Sequence, residues 1–229
     1  MSKIEKKIIA IGGVGVSPES DKELDNFIIN HSKKMKNNIG FLGTASKDDK
    51  EKINKFYKRF DNTSSELSHF NLTSDIDGFH EWLLNKDIVY VGGGNTFYML
   101  EIWKKNNLEQ VFKKAYEKGL ILSGVSAGAV CWFDWILSDS MGRGFEPLKG
   151  INLIEGSCTP HSDNIERINE FEFNIKNNKL PNGVAIDDGV AVVFIDGKPT
   201  EVYSSINNHN AYFLDKNTKI NLKEYIKNI

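Results

Sequence analysis

The sequence contains few of the residues that small secreted or metal-dependent proteins use to hold a fold together. It has two cysteines, Cys131 and Cys158, and no Cys-x-x-Cys pair. Two cysteines cannot form a zinc site alone, and their number does not point to an oxidising compartment. A chain of 229 residues buries roughly 70–75% of its unfolded surface. We therefore expect a core that needs neither a disulfide nor a metal.

An excess of one charge and a long hydrophobic run are also absent. Lys and Arg number 29 against 31 Asp and Glu, which gives a net charge of −2. This balance argues against a nucleic-acid or anionic-membrane partner. No apolar run approaches the ~18 residues of a membrane span, and residues 1–7 lack the apolar stretch of a signal peptide. We expect a cytoplasmic protein.

Short apolar runs alternate with amphipathic segments along the first half of the chain. Because strands that alternate with helices pair in parallel, this pattern predicts an α/β fold with a mostly parallel sheet and helices on both faces. The predicted strands are 8–11, 39–43, 67–72, 87–91 and 120–123. The predicted helices begin at Ser17-Pro18 and then cover 48–60, 96–105 and 108–118.

The second half of the chain has a looser pattern. Residues 135–162 are rich in glycine and proline and are interpreted as a loop-rich surface. A helix is predicted at 163–178, followed by strands at 184–186, 190–195 and 201–205, with Asp196-Gly197 as a hairpin turn. No repeat or linker appears, so residues 1–229 are expected to form a single domain.

The sequence Gly124-Val125-Ser126-Ala127-Gly128 carries the sharpest chemical signal. It follows an apolar strand and precedes a candidate helix, which is the context of a nucleophile elbow. Small residues let the chain turn tightly, so that the serine hydroxyl is exposed above the sheet. The N–H groups that follow it, at a helix N-terminus, are suited to stabilising an oxyanion.

A serine nucleophile needs a base, and the base needs an acid that orients it. His161 follows Pro160 in a loop, and His209 lies in a polar turn. Spacing alone allows Ser126 with His161 and an acid from Asp187-Asp188. It equally allows Ser126 with Asp188 and His209, the chain order of α/β-hydrolases. The remaining histidines, His31, His69 and His80, are interpreted as solvated surface residues.

Two glycine-rich turns accompany the serine turn. Gly92-Gly93-Gly94 ends a strand and opens a helix, but lacks the Lys of a P-loop and the third glycine of a dinucleotide fingerprint. We favour a role for it as an oxyanion donor beside Ser126. Gly12-Gly13 is interpreted as a turn near the site. Cys131, inside the candidate helix, is interpreted as a buried small hydrophobe.

Together these segments resemble the dipeptidase E and cyanophycinase family of serine peptidases. The resemblance rests on 91–97 (Val-Gly-Gly-Gly-Asn-Thr-Phe), 124–129 (Gly-Val-Ser-Ala-Gly-Ala), 160–161 (Pro-His) and 187–189 (Asp-Asp-Gly), and it covers the chain from Ile8 to the final strands. It implies a class I glutamine amidotransferase-like, flavodoxin-like three-layer sandwich. No cofactor and no metal are implied.

The resemblance also implies roles for individual residues. Ser126 is expected to be the nucleophile and His161 the general base, with oxyanion donors in the N–H groups of Gly94 and Ala127. The family usually has Glu as its third member. Here the matching residue is Asp188, which is one methylene shorter, and Asp187 is the fallback. The family order of Ser, His and acid favours His161 over His209.

Substrate residues are less clearly marked. Asp139 is a candidate for binding a substrate ammonium, and Arg143 or Arg167 for binding a carboxylate through two hydrogen bonds. The segment 137–141 does not reproduce the aspartyl-dipeptidase pattern. The expected substrate is therefore a small peptide, without a commitment to an N-terminal Asp, and the expected state is a monomer or homodimer.

Three other functions stay open from the sequence. They are a cyanophycinase-like isopeptidase, an esterase that uses Ser126, Asp188 and His209, and a catalytically idle binding protein of the same fold. Intact Ser126, His161 and Asp188 argue against the idle protein. The position of Cys131, outside the turn, argues against a class I amidotransferase.

Overall fold

The computed structural model describes residues 4–15, 17–61 and 63–228. The helices are α1 (Pro18–Asn30), α2 (Lys50–Phe60), α3 (Phe79–Leu84), α4 (Thr96–Lys105), α5 (Leu108–Glu117), α6 (Ala127–Val130), α7 (Ile165–Lys176) and α8 (Leu222–Lys227). The strands are β1 (Lys7–Ile11), β2 (Asn38–Leu42), β3 (Glu66–Phe70), β4 (Ile88–Val91), β5 (Ile121–Val125), β6 (Phe133–Ser138), β7 (Glu146–Lys149), β8 (Ile154–Thr159), β9 (Gly183–Ile186), β10 (Val190–Ile195), β11 (Lys198–Ser204), β12 (Ala211–Leu214) and β13 (Lys219–Asn221).

The strands form two sheets. The first has the order β11-β10-β1-β5-β4-β2-β3, in which the five strands from β1 to β3 are parallel. The second has the order β13-β12-β9-β8-β6-β7, with β6, β8 and β9 parallel. This architecture confirms the predicted α/β class with mostly parallel pairing.

The central strands are buried on both faces, as parallel strands packed between layers must be. In β1, Ile8 and Ala10 point toward one core while Ile9 and Ile11 point toward the other. Helices α1 and α2 cover the second of these faces. On the opposite face, α3 to α6 pack together with the inner side of the second sheet, and α7 covers the outer side of that sheet.

The interpretation of 135–162 as loop-rich surface is wrong for the parts that form β6, β7 and β8. Two glycines of this segment, Gly150 and Gly156, permit close backbone approach at the sheet. A Cβ on Gly150 would lie 2.2 Å from the carbonyl oxygen of Phe133. Gly156, inside β8, has φ +98° and faces the carbonyl of Asn182. Composition indicated a loop because glycine permits both close backbone approach and turning.

Several local predictions are confirmed. Ser17 caps α1 through a reciprocal capping box with Ser20. Asp196 and Gly197, with φ of 51° and 81°, form the turn between β10 and β11. The sequence analysis did not identify α3, α8, β12 or β13, which are short. Within the described part of the chain, no helix is long and apolar enough to cross a membrane.

Candidate active site

The serine turn joins β5 of the first sheet to helix α6. Ser126 has φ 54° and ψ −114° and stands directly before Ala127, the first residue of α6. The flanking glycines are required by close packing. A Cβ on Gly124 would lie 2.3 Å from the Gly128 carbonyl oxygen, and one on Gly128 would lie 2.1 Å from that of Val91. The Gly-x-Ser-x-Gly spacing thus lets a sharp turn pack against β4.

His161 reaches this serine from the second sheet. It lies just after β8 with φ 51°, and its Nε2 is 2.8 Å from Oγ of Ser126. Its Nδ1 is 2.5 Å from Oδ1 of Asp188. The three side chains therefore form one hydrogen-bonded row, in which the carboxylate accepts from Nδ1 and leaves Nε2 free to accept from the serine hydroxyl.

The turn between β9 and β10 separates the roles of its two acids. Asp188 contacts His161, and its own N–H donates to Oδ1 of Asp163 (3.0 Å). Asp187 is buried and points elsewhere, because it accepts from the Ser162 hydroxyl (2.5 Å) and the Asn210 N–H (2.9 Å). The structure thus brings Asp188, and not Asp187, to the histidine.

His209 contacts the backbone of Asp188 and does not contact the serine. Its Nδ1 donates to the backbone carbonyl of Asp188 at 2.8 Å. The alternative arrangement of Ser126, Asp188 and His209 is therefore not assembled in this structure. Of the other histidines, the interpretation as solvated residues is wrong for two: His31 packs edge-on against Phe27, and His69 bonds the Tyr57 hydroxyl, and both are partly buried.

The Gly12-Gly13 turn lies beside the acid, as predicted. A Cβ on Gly13 would lie 2.0 Å from Oδ1 of Asp188 and 2.8 Å from Nδ1 of His161. The Gly13 carbonyl also accepts from the N–H of Gly189 at 2.9 Å. Any side chain at position 13 would occupy the space of the carboxylate, so this glycine is a steric requirement of the row.

The second glycine turn lies on the other side of the serine. A Cβ on Gly93 would lie 3.3 Å from Cβ of Ser126. Gly94 has φ 151°, and a Cβ there would lie 2.3 Å from the Ala45 carbonyl oxygen. Within the described residues, the N–H groups of Gly94 and Ala127 donate no hydrogen bond. Both stand next to the serine and are available to a ligand.

Two cavities open at the serine, and Gly94, Ser126 and His161 line both of them. The polar cavity, of about 320 Å³, also contains Asp139 and Arg167. The aromatic cavity, of about 250 Å³, lies against α2. Its remaining lining consists of Val14, Phe41, Ser46, Lys52, Lys55, Phe56, Arg59, Phe60, Tyr90, Gly92, Gly93 and Val125.

The structure brings two of the three predicted substrate residues to the polar cavity. Nη2 of Arg167 is 3.0 Å from Oδ2 of Asp139, and the arginine side chain is only 9% exposed. Its guanidinium lies 4.6 Å from the ring centre of Phe145. Arg143 lines neither cavity. Its side chain is 74% exposed, and its Nε is 3.9 Å from Glu146.

Sequence reasoning missed the cationic residues of the aromatic cavity. Lys52, Lys55 and Arg59 occur at i, i+3 and i+7, a spacing that places them along one side of α2. The neighbouring stripe of α2, Ile53, Phe56 and Phe60, is apolar and buried, and two of its residues line the same cavity. This spacing was visible in the sequence. It did not reveal that the three cations face the ends of β4 and β5.

Both cysteines are buried, as predicted for Cys131. Burial raises the pKa of the Cys131 and Cys158 thiols well above the usual value, which disfavours the nucleophilic thiolate.

Trp132 packs against Trp103 and Phe112 in the core. Among the described residues, no group of three or more His, Cys, Asp or Glu side chains is arranged to hold a metal.

An α/β fold that holds a serine, a histidine and an acid in a hydrogen-bonded row defines the class of serine hydrolases. Comparison with known families narrows this class. A model of peptidase family S51, the dipeptidase E family, matches residues 8–202. The chain therefore belongs to this family of serine peptidases, and the resemblance found in the sequence is confirmed.

Individual relatives agree with this assignment. The chain is 38% identical over 213 residues to a Bacillus subtilis (strain 168) protein called uncharacterized peptidase YgaJ, covering 90% of this chain and 91% of that protein. It is 26% identical over 176 residues to the Listeria innocua protein called uncharacterized peptidase Lin0382, covering 70% and 80%. A solved peptidase structure from an acI-B1 Actinobacterium superposes with a TM-score of 0.71 at 17% identity, covering 96% and 95%, and shows a shared fold.

Proposed function

We propose that this serine peptidase hydrolyses dipeptides and other small peptides through Ser126, His161 and Asp188. The observation that supports this most directly is the hydrogen-bonded row from Oδ1 of Asp188 through His161 to Oγ of Ser126. In such a row the acid holds the imidazole in the tautomer that accepts the serine proton. The three side chains come from three separate turns, and two of them, Ser126 and His161, line both cavities.

The reaction follows from this geometry. Nε2 of His161 accepts the Ser126 proton as Oγ attacks the carbonyl carbon of the scissile amide. The N–H groups of Gly94 and Ala127 stabilise the oxyanion, and loss of one such donor costs about 10²–10³ in kcat. His161 then protonates the leaving amine, which departs with the second residue. Water, deprotonated by the same histidine, attacks the acyl-enzyme and releases the first residue.

The polar cavity supplies groups for the first residue of the substrate. Asp139 pairs with Arg167 but is 58% exposed, so its carboxylate is still open to the N-terminal ammonium, while the guanidinium of Arg167 is suited to a side-chain carboxylate. The segment that carries Asp139 is tied to the Gly94 turn, because the Ser140 carbonyl accepts from the Asn95 amide at 2.9 Å. Arg143 lines neither cavity and lies beside Glu146, so it is not placed to bind this carboxylate.

A serine-directed fluorophosphonate tests the nucleophile. We expect it to label the wild-type chain at Ser126 and not to label Ser126→Ala. A library of dipeptides and isopeptides then tests the substrate class, with Ser126→Ala as the inactive control. Turnover of dipeptides supports the proposal, whereas turnover of isopeptides alone would replace it with an isopeptidase function. Absence of both labelling and turnover would favour an idle binding protein.

A further inference from the structure

The aromatic cavity carries uncompensated positive charge next to Ser126. Lys52 and Lys55 are exposed, and within the described part of the chain neither ammonium group forms an ion pair or a hydrogen bond. No Asp or Glu occurs among the described residues that line this cavity. The third cation, Arg59, is neutralised by Asp25, with Nε 2.9 Å from Oδ2. The two lysines are therefore available to an anionic ligand.

The floor of the same cavity is apolar and aromatic. The rings of Phe41 and Phe56 stack with centroids 4.9 Å apart, and Phe56 and Phe60 follow at 5.1 Å. The cavity volume, about 250 Å³, is below the roughly 300–1,000 Å³ of sites that take drug-sized molecules. Its size and lining suit one residue with an apolar side chain and an anionic end.

We propose that the aromatic cavity binds the leaving residue of the substrate and that Lys52 and Lys55 bind its C-terminal carboxylate. This inference rests on the proposed function, and it specifies the substrates as dipeptides with a free carboxylate and an apolar second residue. Asp139 in the polar cavity and the lysines in the aromatic cavity then match the two charged ends of a dipeptide. The scissile carbonyl lies between these cavities, at Ser126.

This arrangement also predicts the length of the preferred substrate. A peptide that continues beyond the second residue would place an uncharged amide where the lysines require a carboxylate. It would lose a charge-assisted hydrogen bond, which is about twice as strong as a neutral one. Dipeptides are thereby preferred over tripeptides, and dipeptide acids over dipeptide amides.

Binding measurements test the proposal without any need for turnover. The probes are N-acetyl-L-phenylalanine and N-acetyl-L-phenylalaninamide, which differ at the carboxylate, titrated into the Ser126→Ala chain by calorimetry. We expect the acid to bind about tenfold more tightly than the amide, equivalent to ~1.4 kcal/mol. Adding Lys52→Met and Lys55→Met should abolish this preference and leave the affinity for the amide within about twofold.

Lys58→Met is the matched control. Lys58 is also exposed on α2, but it lines a neighbouring cavity that does not include Ser126. The acid preference should survive this change, and thermal unfolding should show that all variants are folded. In the chain with an intact serine, the two-lysine variant should raise KM for a cleaved dipeptide about tenfold, with kcat little changed.

Failure of this inference and failure of the proposed function would give different experimental results. Equal binding of acid and amide, or an acid preference that persists without both lysines, would overturn this inference while fluorophosphonate labelling and dipeptide turnover still support the proposed function. Conversely, a lysine-dependent acid preference in a chain that shows neither labelling nor turnover would overturn the proposed function and leave a carboxylate-binding cavity.

Discussion

The residues at the centre of the site are held in unfavourable backbone conformations. Ser126 and His161 have φ of 54° and 51°, a region that costs non-glycine residues about 1–3 kcal/mol. Hydrogen bonds from the scaffold offset this cost. The Ser126 N–H donates to the Ile11 carbonyl at 2.9 Å, and the His161 carbonyl accepts from Asn164 at 3.1 Å. The strain therefore positions two side chains toward each other in advance of substrate binding.

The two candidate bases are distinguished by their partners. His161→Ala removes the group that contacts Ser126, so we expect kcat to fall by a factor of about 10³ or more. His209→Ala removes only a donor to the Asp188 carbonyl, so we expect a decrease of about tenfold or less. Steady-state kinetics on a cleaved dipeptide measures both. Loss of turnover in His209→Ala alone would instead favour the Ser126, Asp188 and His209 arrangement.

A substitution at Gly13 tests, by steric overlap alone, whether Asp188 must occupy its present position. In Gly13→Ala the new methyl group would overlap Oδ1 of Asp188, which must move away from His161. We expect kcat to fall at least 10²-fold, since small displacements of catalytic groups have effects of about this size. Labelling by the fluorophosphonate should slow in parallel. A variant with normal kinetics would show that Asp188 does not need its present position.

At the scale of elements, α2 links the core to the aromatic cavity. Asp49 caps the helix by accepting from the Lys52 N–H, and Ile53, Phe56 and Phe60 pack against the first sheet. Arg59 extends across to Asp25 of α1. The helix thus supplies the aromatic floor through Phe56 and Phe60 and presents Lys52 and Lys55 beside them at the same cavity.

The buried pair of Arg59 and Asp25 should contribute strongly to stability. Their side chains are 14% and 3% exposed, so removing one partner leaves an uncompensated buried charge. We expect Arg59→Met to lower the free energy of unfolding by about 3–5 kcal/mol in urea denaturation. Combining it with Asp25→Leu should recover much of this loss. Lys36→Met, which breaks the exposed pair with Glu66, is the control and should change little.

At the scale of the whole molecule, the site depends on how the two sheets pack together. Ser126 follows β5 of the first sheet, His161 follows β8 of the second, and Asp188 lies where the chain passes from β9 back to β10. Phe133 of β6 meets Phe194 of β10 across this junction, with ring centroids 5.3 Å apart. The distance from serine to histidine is consequently set by contacts between the sheets.

Phe133→Leu tests this dependence. We expect a loss of about 1–3 kcal/mol in unfolding free energy, together with a decrease of kcat of about tenfold because the sheets shift relative to each other. Phe79→Leu is the matched control, since Phe79 is equally buried but packs against α5 and β3. It should lower stability by a similar amount and leave kcat unchanged. Equal kinetic effects would show that activity follows stability alone.

Much of this architecture could be predicted from local patterns. Buried parallel strands are continuous apolar runs, so β1, β4 and β5 were visible in the sequence. Of the second sheet, β9 was predicted but β6 to β8 were not, because they mix buried residues with half-buried or exposed ones, and β7 contains a proline and β8 a glycine. These strands are stabilised by contacts with neighbouring strands and with α7. Such contacts join residues far apart in the chain, so a short window of sequence does not show them.

The candidate site, like the fold, could be predicted only in part from the sequence. The sequence alone was sufficient to mark the Ser126 turn and the Gly94 turn, because each depends on a steric rule that acts over a few residues. Spacing left His161 and His209 both open, and only the family resemblance favoured His161. The tertiary structure decided between Asp188 and Asp187 and separated His161 from His209. It also placed Arg167 in the polar cavity and left Arg143 outside both cavities at the serine. These choices depend on side-chain direction across two packed sheets, and that direction is set by contacts between segments far apart in the chain.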